Sequence, residues 1–233
     1  MRSAQPQLWL ELPLPQSRRL SDFIVGPNTE ALARVRKLAE GALPGFQAVW
    51  LEGPQAAGKS HLLQGACDLA ATAGITIAYL PAARMPGPEA LDGLQGFGLV
   101  ALDDVDLLLG ERGWEEALMA LYQGLQQQAG RLLLASRHSA AAVRPLLPDL
   151  GSRLRAAEGF RLQPLPESDL ARLLRMYAAR TGLALPDEVT GFLLHRLPRT
   201  QQALLSALDE LDQAALARQR RLTVPFVKEV LHL

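Results

Sequence analysis

Cysteine is almost missing from this chain: among 233 residues there is one, Cys67. A single thiol excludes an intrachain disulfide, and a free thiol suits a reducing compartment. Four histidines scattered along the sequence, with that one cysteine, show no spacing of a transition-metal ligand set. Long apolar runs are missing too. None approaches the ~20 residues that span a bilayer. The opening stretch MRSAQPQLWLELPLPQ carries a glutamate and prolines where a secretory signal needs an uninterrupted apolar core. The chain therefore reads as cytoplasmic. Charge of one sign is missing as well, with 24 Lys+Arg against 24 Asp+Glu. Neutrality removes any global pull toward nucleic acid or anionic membrane, although a local basic patch stays open. No internal repeat is visible.

What is present is an ordinary globular composition, 48% apolar and 21% charged, long enough for one large domain or a large and a small one. Residues 1–19 hold three of the 16 prolines and read as an arm. From Phe23 the pattern becomes regular. Helical periodicity is expected over 31–40, 59–73 and 114–129, the last with Trp114, Ala117, Leu118, Leu121, Tyr122 and Leu125 on one face. Short apolar runs at 47–51, 75–80, 97–102, 131–136 and 160–165 read as strands, and 82–96 as loop and short helix. Continuous apolar strands alternating with helices predict a parallel sheet covered on both faces. Beyond Pro166 only helices are expected, at about 167–181, 187–196, 199–218 and 225–231. The expected division is an arm (1–19), an α/β core (20–165) and a small α-helical lid (166–233).

The chemistry begins at GPQAAGKS, residues 53–60, which meets G-x-x-x-x-G-K-[ST] at Gly53, Gly58, Lys59 and Ser60. Backbone N–H groups turn inward around phosphate oxygens only where bulky Cβ groups are absent, and the following helix presents its N-terminus to the anion. Lys59 is placed to reach the β- and γ-phosphates and the Ser60 hydroxyl to ligate Mg²⁺. The preceding VWLE strand and the following helix supply the context that the motif requires. The second half of such a site is an acidic strand end, and LVALDD supplies Asp103, expected to hold Mg²⁺ through water, and Asp104, expected to orient an attacking water. Adjacent carboxylates repel unless a cation lies between them.

Together these motifs resemble the AAA+ branch of P-loop proteins, and within it the DnaA-related replication-initiator family. LSDFIVGPN (20–28) is similar to the segment that opens the initiator nucleotide pocket. GPQAAGKSHLLQ resembles the initiator P-loop and its helix, LPDLGSRL (147–154) the stretch with the arginine finger, and LPRTQQALLSALDELD (197–212) the lid helix with its sensor arginine. The resemblance covers roughly residues 20–233. It implies a nucleotide site (ADP or ATP, with Mg²⁺) built from Phe23, Ile24, Val25, Gly53, Pro54, Gln55, Ala56, Ala57, Gly58, Lys59, Ser60, His61 and Arg199. The finger would be Arg153, donated in trans. A solvent-facing role for Arg199 stays open.

Two departures from the initiator bear on function. The sequence ends at Leu233, directly after the lid, where an initiator continues into a DNA-binding helix-turn-helix. The arm carries Gln7, Leu8, Leu10 and Leu12 in a QLWLEL run that resembles peptides docking on the replicative sliding clamp: a polar anchor with apolar plugs. The branch of the family that this implies regulates the initiator. Bound to the DNA-loaded clamp, it promotes hydrolysis of DnaA-bound ATP and so prevents re-initiation. An active helicase- or clamp-loader-like ATPase is the alternative, and direct DNA binding a third reading. A homodimer, with one subunit's finger at another's nucleotide, stays open.

Two residues depart from the usual site. Ala56 stands at a loop position that is often glycine. Arg137 follows the 131–136 strand where related ATPases place an acceptor that orients water, and a guanidinium accepts nothing. Weak or absent intrinsic turnover and a structural nucleotide, most simply ADP, are therefore expected. Arg172, Arg175 and Arg180 are expected on an exposed helical face.

Overall fold

A computed structural model of the chain describes residues 19–198 and 200–233, the side chain of Gln202 apart. The arm residues Gln7, Leu8, Leu10 and Leu12, and Arg199, lie outside the described residues. Five strands form one parallel sheet: β1 (Gln47–Glu52), β2 (Ile77–Pro81), β3 (Leu99–Asp103), β4 (Arg131–Ser136) and β5 (Glu158–Arg161), in the order β2-β3-β4-β1-β5. The three apolar strands, β3, β4 and β1, take the centre. Parallel pairing needs a covered crossover between strands, so both faces carry helices. Alternate side chains of the central strands separate into two buried layers. Val49, Leu51, Leu99, Ala101, Leu133 and Ala135 pack with α1 (Thr29–Glu40) and α2 (Lys59–Thr72). Trp50, Val100, Leu102, Leu132 and Leu134 pack with α3 (Arg112–Gln127) and α4 (Pro148–Ala156). Trp50 is fully buried, and its indole N–H donates to the His138 carbonyl at 2.9 Å.

Two elements differ most from the sequence expectation, whereas 82–96 is loop and short helix as expected. Helix α4 was unforeseen because only Leu150 and Leu154 mark its buried face over nine residues. Its signals are local: Pro148 in the first turn, Asp149 near the N-terminus, Arg153 and Arg155 near the C-terminus. Strand β5 lies at Glu158–Arg161 rather than 160–165, since Leu51 pairs with Phe160 and Glu52 with Arg161. It is an exposed edge strand, so an apolar-run criterion misplaces it. The 82–96 segment forms three short 3-10 turns (Ala82–Arg84, Pro88–Leu91 and Leu94–Gly96).

After β5 the chain is helical: α5 (Glu167–Thr181), α6 (Asp187–Arg196), α7 (Gln201–Arg218) and α8 (Val224–Leu231). These helices bury their own cluster, including Leu170, Leu174, Leu193, Leu208, Phe226 and Val227. Thr200 and Thr223 cap α7 and α8, their hydroxyls accepting from the N–H of Ala203 and Phe226. Gly182 ends α5 at φ 75°, the left-handed position that glycine occupies without strain. Among the described residues, no helix is long and apolar enough to cross a membrane.

Candidate functional site

Parallel strands leave the carboxyl ends of β1, β3 and β4 on one edge of the sheet, where α/β proteins build their sites. The GPQAAGKS loop leaves β1 there, Asp103 and Asp104 leave β3, and Arg137 leaves β4. Loop geometry explains its residues. A Cβ on Gly53 would lie 2.8 Å from the Leu162 carbonyl oxygen. Gly58, the N-cap of α2 at φ 96°, would push a Cβ to 2.8 Å from the Phe23 ring. Ala56 holds φ 62° despite its methyl group. That left-handed conformation costs an L-residue about 1–2 kcal/mol and explains why glycine is common there. Pro54 and Gln55 are exposed, whereas the Ala57 methyl is buried in the core. The Lys59 ammonium is buried and donates to the carbonyls of Gly53 at 2.7 Å and Pro54 at 2.9 Å. Burial pulls its pKa down, and the nearby Asp104, Asp103 and Asp106 partly offset this.

Asp103 is 4% exposed. Its Oδ2 accepts the Tyr79 hydroxyl at 2.9 Å, and that hydroxyl accepts from the Gln64 side-chain amide at 3.0 Å. Its Oδ1 is buried with no hydrogen-bond partner among the described residues. Burial first, and then the Asp103 carboxylate, push the Tyr79 phenol well above its ordinary range, so it stays a donor. Asp104 adopts φ 54°, and its pKa is raised by burial and then by Asp103 and Asp106. Among the described residues no three His, Cys, Asp or Glu side chains cluster as a metal cage. Mg²⁺ at phosphates needs none, because one or two protein oxygens with phosphate and water complete its shell. The orphaned Asp103 Oδ1, with the Ser60 hydroxyl at the start of α2, fits that donor set.

The loop forms one wall of a cleft of about 1120 Å³ whose opposite wall comes from α5 and α7. Ser60, His61, Asp104 and Arg137 line it from the core, and Tyr177 and Arg180 from the lid. Arg172, Arg175 and Arg180 are exposed, as expected, and of these Arg180 also lines the cleft. Its guanidinium pairs with Asp22 of the core at 3.4 Å and lies 5.2 Å from the Tyr177 ring centre. Tyr177 donates to Asp209 of α7. Neither Asp22, Tyr177 nor Asp209 carried a sequence signal. Tyr79 and Gln64 carried none either, because their role depends on strand register.

The 20–28 segment divides. Phe23 and Ile24 are buried, and the Phe23 ring meets His61 edge-on at 5.4 Å, with His61 Nε2 bonded to the Arg19 carbonyl at 2.9 Å. Val25 lines a separate groove of about 610 Å³, with Asp169 and Arg172 of α5. Arg153 stands apart from the cleft, on α4. Its Nη1 donates to Gln126 at 3.0 Å, its Nε lies 3.8 Å from Asp149, and its guanidinium is 5.5 Å from the Tyr122 ring centre.

Residues 167–231 match the family described as Hda, lid domain. Domain III of the Thermotoga maritima replication initiation protein DnaA superposes with a TM-score of 0.81 at 18% identity, over 94% of this chain and 98% of that one. DnaA from Aquifex aeolicus, in its AMPPCP-bound structure, gives 0.71 at 22% identity, over 84% and 65%. The Thermotoga maritima RuvB Holliday junction branch migration motor gives 0.68 at 16% identity, over 92% and 71%. The RuvB likeness is one of fold. The DnaA likeness is likewise one of fold: a parallel five-stranded sheet with the GPQAAGKS loop after β1, followed by helices of which residues 167–231 match the Hda lid family.

Proposed function

We propose that this replication-related AAA+ chain is a nucleotide-holding regulator of DnaA, acting from the sliding clamp to stimulate hydrolysis of DnaA-bound ATP. The observation that carries the reading is the separation of Arg153 from the chain's own cleft, in a protein whose lid matches the Hda family. A guanidinium that lies outside its own site supports a role at a neighbour's. Arginine suits this work because it remains charged and offers planar, forked donors. A finger delivered in trans contributes about 10³–10⁵ in rate by neutralising charge on the γ-phosphoryl oxygens.

The chain's own site holds nucleotide, most simply ADP, rather than turning it over. The loop N–H groups and Lys59 grip the phosphates, and α5 and α7 close over them with Arg199 as a further contact. Ser60 and Asp103 would hold Mg²⁺, which would supply charge neutralisation on the phosphate oxygens. Arg137 lines the cleft where an acceptor would orient water, and a guanidinium has no acceptor. Asp104 is the remaining candidate for that task, and burial, with Asp103 and Asp106, raises its pKa. The held nucleotide fixes the angle between core and lid, and with it the surface shown to DnaA. Gln7, Leu8, Leu10 and Leu12 anchor the chain to the clamp with modest affinity, because ordering an arm costs entropy. A ring clamp offers several such sites at once.

The decisive measurement is DnaA-bound ATP hydrolysis with this protein, with and without DNA-loaded clamp. Stimulation is expected only with the clamp. Arg153→Ala should lower it roughly 10³-fold while leaving the protein's own nucleotide affinity intact. Unchanged stimulation in the Arg153 variant would remove the finger assignment. Undiminished stimulation on DNA-loaded clamps by a Gln7→Ala/Leu8→Ala variant would remove the arm's role.

A further inference from the structure

Strand register and helix position bring three polar side chains, Gln64, Tyr79 and Asp103, to one place. In the β2–β3 ladder Tyr79 faces Ala101 and Pro81 faces Asp103. Residues two apart on a strand share a face, so Tyr79 lies on the Asp103 side of the sheet, the side that α2 covers. On α2, Ser60 and Gln64 are four residues apart and share a helix face. The resulting relay is Gln64 Nε2 to the Tyr79 hydroxyl at 3.0 Å, then that hydroxyl to Asp103 Oδ2 at 2.9 Å. A phenol carries a single hydrogen. With its oxygen already accepting from Gln64, that hydrogen is committed to Asp103. One carboxylate oxygen is thereby tethered, and the other, Oδ1, is left buried with no hydrogen-bond partner among the described residues.

We propose that Tyr79, backed by Gln64, is a positioning residue that fixes the rotation of the Asp103 carboxylate, and so sets how strongly Mg²⁺ tightens nucleotide binding. The inference rests on the nucleotide reading above and concerns one part of it. An aspartate held at a single oxygen presents the other in a fixed direction, whereas an untethered buried carboxylate turns about its Cβ–Cγ bond. Neighbours that orient ligating carboxylates in this way contribute about 10–100-fold in metal affinity. The ring of Tyr79 is only partly buried, and its hydroxyl is what reaches Asp103.

The test is ADP binding by calorimetry, in EDTA and across a Mg²⁺ titration, for wild type, Tyr79→Phe and Gln64→Leu. Tyr79→Phe keeps the ring and removes the tether. Its ADP affinity in EDTA should equal that of wild type, which also reports an intact loop. The Mg²⁺ concentration giving half-maximal tightening should rise roughly 10-fold. Gln64→Leu should shift the same midpoint in the same direction by less. A Tyr79→Phe titration that superimposes on wild type overturns the inference, as does an equal loss of affinity in EDTA and in Mg²⁺, which marks a purely structural role. Wild type that binds ADP without responding to Mg²⁺ overturns the inference alone. Wild type that binds no ADP in either buffer overturns the nucleotide reading with it.

Discussion

The core and the lid each contribute a wall to the same cleft, but by different physics. In the core, functional groups sit where backbone geometry puts them: at the carboxyl ends of parallel strands, on a loop whose glycines admit no Cβ, at the first turn of α2. In the lid, the contributing side chains are points on helical faces, and their relevance depends on how α5 and α7 dock. The core wall is therefore rigid and motif-like. The lid wall is held by its own apolar cluster and, toward the core, by the exposed Arg180–Asp22 pair. The difference teaches that one half of the site is built by strand order and the other by packing.

The largest effect expected on that contrast comes from Phe226, fully buried at the centre of the lid cluster. Phe226→Ala should destabilise the lid by about 3–5 kcal/mol. Hydrogen exchange should speed up in α5–α8 while β1, β3 and β4 stay protected. Equal loss of protection in the strands would mean that the two parts unfold as one. Next is Lys59→Ala. It removes the buried cation that donates to the Gly53 and Pro54 carbonyls; on the proposed nucleotide reading it should raise the ADP Kd roughly 100-fold, about 2.7 kcal/mol, with little change in melting temperature. A large loss of stability instead would make Lys59 a structural strut between the Gly53 and Pro54 carbonyls.

Asp104 gives a pH-dependent test. Its folded-state pKa is raised by burial and by Asp103 and Asp106, so the folded protein binds its proton more readily than the unfolded chain does. The ionised form thus costs stability above the raised pKa, and that cost is relieved as pH falls through it. Asp104→Asn should melt higher than wild type at neutral pH, and the gap should shrink as the solution is acidified across Asp104's titration. A gap independent of pH would show that the carboxylate's charge is not its cause. The smallest effect belongs to Asp22→Asn. An exposed pair is worth about 0–1 kcal/mol, so global stability should barely move. Lid opening, read by fluorescence transfer between labels on α1 and α7, should nonetheless increase. No change there would leave the lid's apolar contacts as the sole closure.

Much of this architecture was legible before folding. The boundaries of α5 and α6 follow from helical periodicity alone, because each helix shows a continuous apolar stripe closed by Gly182 or preceded by Pro186. The central strands were legible because burial on both faces leaves an unbroken apolar run. The strand–loop–helix turn at 53–60 was legible because close backbone packing constrains residue types there: a Cβ on Gly53 or Gly58 would meet its neighbours at 2.8 Å. Helix α4 and strand β5 were not, since nine residues with two buried leucines and an exposed edge strand give too weak a period.

Local chemistry sets what the sequence alone determined: a glycine-bearing GPQAAGKS loop between strand and helix, an acidic strand end, an α/β region followed by helices, and the unusual Ala56 and Arg137. These depend on neighbours in the chain, where spacing is covalent. Only the tertiary structure decided that Gln64 and Tyr79 stand behind Asp103, that Arg180 faces the cleft and pairs with Asp22, and that Arg153 lies against α3, apart from the cleft. Each of those outcomes joins residues far apart in sequence through strand register or helix docking. No local pattern encodes them, because the energy that selects them comes from burying the whole sheet and the whole lid at once.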